Sequence, residues 1–123
     1  MIQTIMTVDD SRAMRDLLNL SLSDAGYQVV QAVDGIDGLE TLKGILPDAI
    51  ITDINMPRLD GFGFIEEVRK EQRLRGVPIL VLTTEASDEK KNRARQAGAT
   101  GWIVKPFQHE KLITAIRRVT ARV

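Results

Sequence analysis

A three-layer α/β sandwich around a parallel sheet is the fold this sequence predicts, and three patterns predict it. Five short apolar runs alternate with five segments of helical periodicity, which is the signature of parallel strands joined by right-handed crossovers. Each run stops at a polar residue, so the polar ends collect along one edge of the sheet. The run Pro78-Ile79-Leu80-Val81-Leu82-Thr83 is apolar without a break, as strands covered on both faces are, and is expected at the centre. With 123 residues, 43% of them hydrophobic and 28% charged, the chain is expected to form one domain, 1–123, with a substantial core.

The elements follow in order. Ile5-Met6-Thr7-Val8 forms the first strand and delivers Asp9-Asp10 to its carboxyl end. Met14, Leu17, Leu18, Leu22 and Ala25 then recur at helical spacing, with Ser11 as cap and Gly26 as stop. Tyr27 to Ala32 is the second strand, Asp34-Gly35 a turn, and Ile36, Leu39, Leu42 and Leu46 mark a second helix closed by Pro47. Ala49-Ile50-Ile51-Thr52 is the third strand and stops at Asp53, before a polar loop with Pro57 and Gly61. Phe62, Ile65 and Val68 give a third helix to about Arg73. After the fourth strand, Ser87 caps a helix from Asp88 to Ala97 whose apolar contacts are alanines only, which makes it the segment most prone to move. Gly101-Trp102-Ile103-Val104 is the fifth strand, and Leu112, Ala115, Ile116 and Val119 mark the last helix.

Composition removes several classes of function. Seventeen basic residues balance seventeen acidic ones, so no nucleic-acid footprint appears. Without cysteine there is no disulfide framework, thiolate metal site or cysteine nucleophile. No apolar stretch approaches the ~18 residues that span a membrane, and the N-terminus lacks the pattern of a signal peptide. A cytoplasmic monomer is expected.

The strand ends carry the chemistry: Asp9-Asp10, Asp53, Thr83-Thr84 and Lys105. Carboxylates crowded together repel one another, and displacing a carboxyl pKa by one costs ~1.4 kcal/mol. A divalent cation relieves the repulsion. Magnesium suits this rim, because it accepts one or two carboxylates, keeps waters and takes phosphate oxygens as further ligands. Beside the metal, Asp53 can act as a nucleophile toward a phosphoryl group, with Lys105 pairing one equatorial oxygen and the Thr83 hydroxyl another.

Residues and order together resemble the receiver domain of two-component response regulators, over the whole chain: Asp9-Asp10, Asp53, Thr83 and Lys105-Pro106 fall after strands one, three, four and five. The stretches Thr83-Thr84-Glu85 and Ala99 to Phe107 are most similar to single-domain chemotaxis regulators of the CheY type. The resemblance, and not the spacing of the runs, implies a flavodoxin-like (βα)5 fold with strand order 2-1-3-4-5. It further implies Mg2+ held by Asp10, Asp53 and the Asn55 carbonyl with Asp9 assisting, phosphate received on Asp53 from a CheA-like histidine kinase, and a cis Lys105–Pro106 bond. Asn55 and Glu85 stand where the family tunes phosphoryl lifetime. Thr84 stands where Ala, Gly or Ser is common, and its methyl narrows access. Trp102 replaces the usual Tyr, Phe or His of a rotating aromatic. With nothing after residue 123, output is expected through protein binding at the helix-4, strand-5, helix-5 face, to a flagellar motor switch protein. A phosphate sink or a phosphorelay intermediate is the alternative. The protein is then a switch that catalyses its own phosphorylation and dephosphorylation rather than an enzyme acting on other substrates.

Two readings from other classes compete. A phosphatase of the haloacid-dehalogenase type also uses an aspartyl nucleophile but wants a second acid where Asn55 stands. A flavodoxin-like flavin carrier needs a hydroxyl- and glycine-rich loop where Asp9-Asp10 would repel phosphate. Among single residues, Thr83 also suits a strand by propensity, and Trp102 suits half-buried packing as well as a switch. His109 is expected to be exposed and without a partner, and Lys90, Lys91, Arg93 and Arg95 to form a solvated helix face. Met14 and Met56 read as packing and loop residues.

Overall fold

The computed structural model describes residues 2–121, so the ends of the expected 1–123 domain (Met1, Arg122 and Val123) lie outside the described residues. Five parallel strands, β1 (Thr4–Val8), β2 (Gln28–Ala32), β3 (Ala49–Thr52), β4 (Ile79–Thr83) and β5 (Gly101–Val104), lie in the order β2-β1-β3-β4-β5. They alternate with α1 (Arg12–Asp24), α2 (Gly35–Leu42), α3 (Gly61–Lys70), α4 (Asp88–Ala97) and α5 (His109–Thr120).

Neighbouring residues on a strand supply opposite faces of the sheet, the period-two rule of extended chain. Met6, Ile50 and Val81 join Phe64, Ile65 and Val68 on the face covered by α2, α3 and α4. Ile5, Ile51 and Leu80 join Leu18, Leu22, Leu112 and Ile116 under α1 and α5. Burying an aliphatic or aromatic side chain of this size stabilises by about 1.5–3 kcal/mol, so these two clusters fix the layers.

The helix starts are set by local hydrogen bonds. Ser11 Oγ accepts from Met14 N, Asp34 Oδ1 from Asp37 N, Asp60 Oδ1 from Gly63 N and Ser87 Oγ from Lys90 N. Gly98, at φ 119°, ends α4, and the N–H groups of Gly98 and Ala99 both reach the Ala94 carbonyl.

Four expectations are corrected. The middle strand is β3, and β4 lies one place from the centre; it reads as uninterrupted because β3 and β5 flank it and helices cover both faces. The second helix ends at Leu42, where the Lys43 and Gly44 N–H groups turn back to Glu40 and Thr41, and Leu46 beyond it is 62% exposed. The third helix stops at Lys70 because Glu71 turns extended (φ −85°, ψ 122°); Gln72–Leu74 form a separate 3₁₀ turn that buries Leu74. In α1 only Leu18, Ser21 and Leu22 are buried, whereas Leu17 and Leu20 are 53% and 70% exposed. Packed on β1, β2 and α5, the helix buries a single stripe, and it has more leucines than that stripe can take.

Candidate functional site

The sheet builds the site from its carboxyl edge. The Asp9 N–H bonds the Ala32 carbonyl, the Asp53 N–H bonds the Val8 carbonyl, and the Lys105 N–H bonds the Thr83 carbonyl. The ladder that closes the sheet therefore also sets the backbone of three chemical residues. Carboxylate oxygens of Asp9, Asp10 and Asp53 lie within 4.8 Å of one another. Asp9 is 2% exposed and Asp53 9%, while Asp10 faces solvent.

Lys105 organises the cluster. Its Nζ lies 2.9 Å from Asp9 Oδ2 and 2.9 Å from Asp53 Oδ2, bridging the two buried carboxylates. The other oxygens are also engaged: Ser11 N–H donates to Asp9 Oδ1 at 2.9 Å, and Ile54 N–H to Asp53 Oδ1 at 2.7 Å. One lysine thus serves two carboxylates while a third, Asp10, stands by. Burial pushes the Asp9 carboxyl above the usual carboxylate range, outweighing the bonds from Ser11 and Lys105. Burial would lower the Lys105 ammonium, but its hydrogen bonds to Asp53 and Asp9 prevail and hold it above the usual lysine value.

Both shifts make stability fall as pH rises, in different windows. A carboxyl raised by folding binds its proton more tightly in the native state, so its contribution falls as pH rises through the window above the ordinary carboxylate value. The raised lysine contributes at neutral pH and loses its contribution only as pH rises through the elevated ammonium value. Asp10→Asn removes one charge from the cluster without removing a hydrogen bond seen among the described residues. It is expected to raise the melting temperature of the metal-free protein by about 1–3 °C near neutral pH. Because Asp9 protonates early, that gain shrinks on acidification, which calorimetry across pH measures.

The remaining predicted residues lie around this rim. Thr83 is fully buried at the end of β4, two residues beyond Val81, which pairs with Thr52 of β3. Its Oγ1 accepts from the Glu85 N–H at 3.4 Å. Thr84 is exposed. Asn55 Nδ2 donates to Glu85 Oε1 at 3.3 Å, so the loops after β3 and β4 meet across the mouth of the cluster. Lys90 Nζ holds the same Glu85 oxygen at 2.9 Å, and this pair, with Asn55, keeps the Glu85 carboxyl below the usual range. Trp102 is half-buried, and its Nε1–H donates to the Glu85 carbonyl at 3.1 Å. The Lys105–Pro106 bond is cis, as the resemblance implied.

Two expectations on single residues hold only in part. His109 is exposed but not alone: its Nδ1 lies 2.6 Å from Ser21 Oγ, linking α5 to α1. The basic face of α4 is solvated only in part: Arg93 and Arg95 are exposed, but Lys90 pairs with Glu85 and the Arg93 guanidinium sits 4.1 Å over the Phe62 ring. Sequence reasoning also missed Arg58 and Asp34. Arg58 follows Pro57 in the loop after Asp53, and its guanidinium bonds the buried Asp34 carboxylate. Arg58 has a left-handed φ of 67°, and an arginine gives no sequence signal for that conformation.

The response regulator receiver domain family matches residues 5–117. The chain belongs to this family. The match places it among receivers and not in the haloacid-dehalogenase or flavodoxin families. The DNA-binding dual master transcriptional regulator RpaA of Synechocystis is 35% identical over 118 residues, covering 96% of this chain and 49% of that protein. Chemotaxis response regulator CheY4 of Vibrio cholerae superposes with a TM-score of 0.92 at 43% identity, over 97% of this chain and 99% of that one. The receiver domain of sensor histidine kinase PA1611 from Pseudomonas aeruginosa, solved with a magnesium ion coordinated in its active-site cleft, gives 0.91 at 30% identity over 98% of both chains. The receiver spans about half the length of several curated relatives it matches. Among the described residues no helix is long and apolar enough to cross a membrane.

Proposed function

We propose that this receiver takes a phosphoryl group onto Asp53 from a histidine kinase in a Mg2+-dependent reaction, in the cytoplasm, and that the phosphorylated form signals by binding another protein in bacterial chemotaxis. The observation that carries this reading is the Lys105 ammonium held between Asp9 and Asp53, beside a third carboxylate. Three converging carboxylate oxygens are the donor set of a hard divalent cation. Asp10, Asp53 and Asn55 would hold Mg2+, with Asp9 assisting. The ion would neutralise charge on the carboxylates and on the incoming phosphoryl oxygens.

The Ile54 N–H fixes one Asp53 oxygen and Lys105 the other, so the carboxylate is oriented before a donor arrives. An Asp53 oxygen bonds to phosphorus as the bond to the kinase histidine nitrogen breaks, its electron pair leaving with the imidazole. Lys105 then pairs a phosphoryl oxygen, and the Thr83 hydroxyl donates to another. Asn55, Glu85 and Thr84 border the path of a hydrolytic water and set the lifetime of the phosphorylated state.

Signalling follows a chain of bonds. Movement of Thr83 toward the phosphoryl group disturbs its contact with the Glu85 N–H, and the Glu85 carbonyl holds Trp102. Adding roughly two negative charges biases such a two-state element, and a few charge-assisted hydrogen bonds supply the ~3–5 kcal/mol that a switch from mostly off to mostly on requires. The rearranged face of α4, β5 and α5 would engage a flagellar motor switch protein; a phosphate sink or relay would use the same chemistry.

The test is direct. Mg2+ with a small acyl phosphate is expected to add one phosphoryl group to the intact mass and to change the fluorescence of Trp102, the single tryptophan. A chelator should abolish both changes. An unchanged mass would sink the phosphoacceptor reading, and partner capture with and without beryllofluoride distinguishes motor binding from a sink.

A further inference from the structure

We infer that Asp34 and Arg58 form a clamp that positions the loop between β3 and α3, and so fixes Asn55 at the mouth of the acid cluster. This rests on Asp53 being the phosphoacceptor. Arg58 has φ 67°, the left-handed region that favours glycine. The Leu59 N–H bonds the Pro57 carbonyl at 2.8 Å, which makes Arg58 the centre of a three-residue turn of the strained γ kind. Such backbone persists only where its surroundings over-determine it.

Here they do. The Arg58 guanidinium grips Asp34 with both prongs, Nε to Oδ2 at 2.7 Å and Nη2 to Oδ1 at 3.0 Å, the fork-on-fork geometry that only arginine offers. Asp34 is buried and fixed in its own right, because its Oδ1 also accepts from Asp37 N–H at the start of α2. Beside the ion pair, the Gly35 N–H donates to the Leu59 carbonyl at 3.2 Å. A Cβ on Gly35 would lie 2.6 Å from that carbonyl, so the α2 corner and the turn are in direct apposition. The loop is thus anchored at Asp34 on one side, and Asn55, three residues before Arg58, reaches Glu85 on the other. Asp34 and Arg58 touch no reacting atom; they are positioning residues.

The experiment compares Arg58→Met, Arg58→Gly and Asp34→Asn with the wild type, using two readouts. Amide hydrogen exchange of residues 54–59 in metal-free protein reads the loop without any reaction. The Mg2+ concentration that half-saturates phosphorylation by a small acyl phosphate reads its consequence. Arg58→Met, which keeps the side-chain bulk but loses the fork, is expected to speed exchange at residues 54–59 and raise the half-saturating Mg2+ by about 3–10-fold. The rate at saturating Mg2+ should stay within about twofold, a split that a general loss of folding would not give. Asp34→Asn should behave likewise. Arg58→Gly should be less impaired than Arg58→Met, because glycine adopts the turn without strain. Exchange and Mg2+ dependence equal to wild type in Arg58→Met overturn the clamp, as does Arg58→Gly impaired as much as Arg58→Met. If the wild type takes up no phosphate, the functional reading falls, while metal-free exchange still decides whether the clamp holds the loop.

Discussion

Asp53→Asn is expected to take up no phosphoryl group at any Mg2+ concentration, with intact mass unchanged under conditions that phosphorylate the wild type. The substitution is nearly isosteric, and the remaining amide oxygen can keep the Ile54 N–H bond, so the fold should survive. What would disappear is the proposed nucleophile, since an amide has no anionic oxygen to offer phosphorus. The loss should be on the order of 10⁴-fold or more, the scale seen when a covalent nucleophile is removed. A second consequence is electrostatic. The amide nitrogen would face the Lys105 ammonium, donor against donor, and drive Lys105 wholly onto Asp9. The Trp102 fluorescence response to the phosphodonor should vanish with the mass change. A phosphoryl group found on Asp9 or Asp10 in this variant would show that the cluster, rather than Asp53, defines the acceptor.

The carboxyl edge was legible because its signal is positional. A strand that ends in Asp or Lys places that residue on the rim whatever the helices do, which is why Asp9, Asp10, Asp53, Thr83 and Lys105 could be gathered from runs far apart in sequence. The layers were legible for a related reason: adjacent pairs such as Ile50-Ile51 and Leu80-Val81 are apolar on both sides, and only a sheet covered twice needs that. Surface pairings were not legible. Arg58 with Asp34, Lys90 with Glu85 and His109 with Ser21 each join residues whose identities are common on any polar surface, and only tertiary geometry selects the partner. Helix edges were blurred by leucines the core does not use. Leu17 fits the helical period but is exposed, because periodicity counts apolar residues and not the width of the face that receives them, and Leu46 fits it although the helix has already ended at Leu42.

Gly61, which the sequence marks only as part of the polar loop after Asp53, carries a tighter constraint. It is the first residue of α3 and its φ is not left-handed, so conformational freedom is not why glycine is needed here. The reason is close approach. A Cβ at Gly61 would lie 2.2 Å from the Asp53 carbonyl oxygen and 2.8 Å from the Ile54 Cα, both backbone atoms, and the Gly61 N–H already bonds the Ile54 carbonyl at 2.8 Å. Side chains swing aside cheaply; this backbone cannot, because Asp53 N–H is also tied to the Val8 carbonyl in the sheet. Gly61→Ala is therefore expected to destabilise by about 3 kcal/mol, at the upper end of overpacking costs, and to lower the melting temperature by roughly 10 °C. Gly76→Ala is the matched control, since its Cβ would meet nothing within 4 Å; its melting temperature should stay within about 2 °C of wild type. The two variants should also part in chemistry. In the folded fraction of Gly61→Ala, phosphate uptake should slow because relief of the clash has to move the peptide that carries Asp53, whereas Gly76→Ala should react as wild type. A Gly61→Ala protein that melts and reacts like wild type would mean that the α3 start can retreat from Asp53 as a unit, and that the tight packing of this loop is not what holds the acceptor in place.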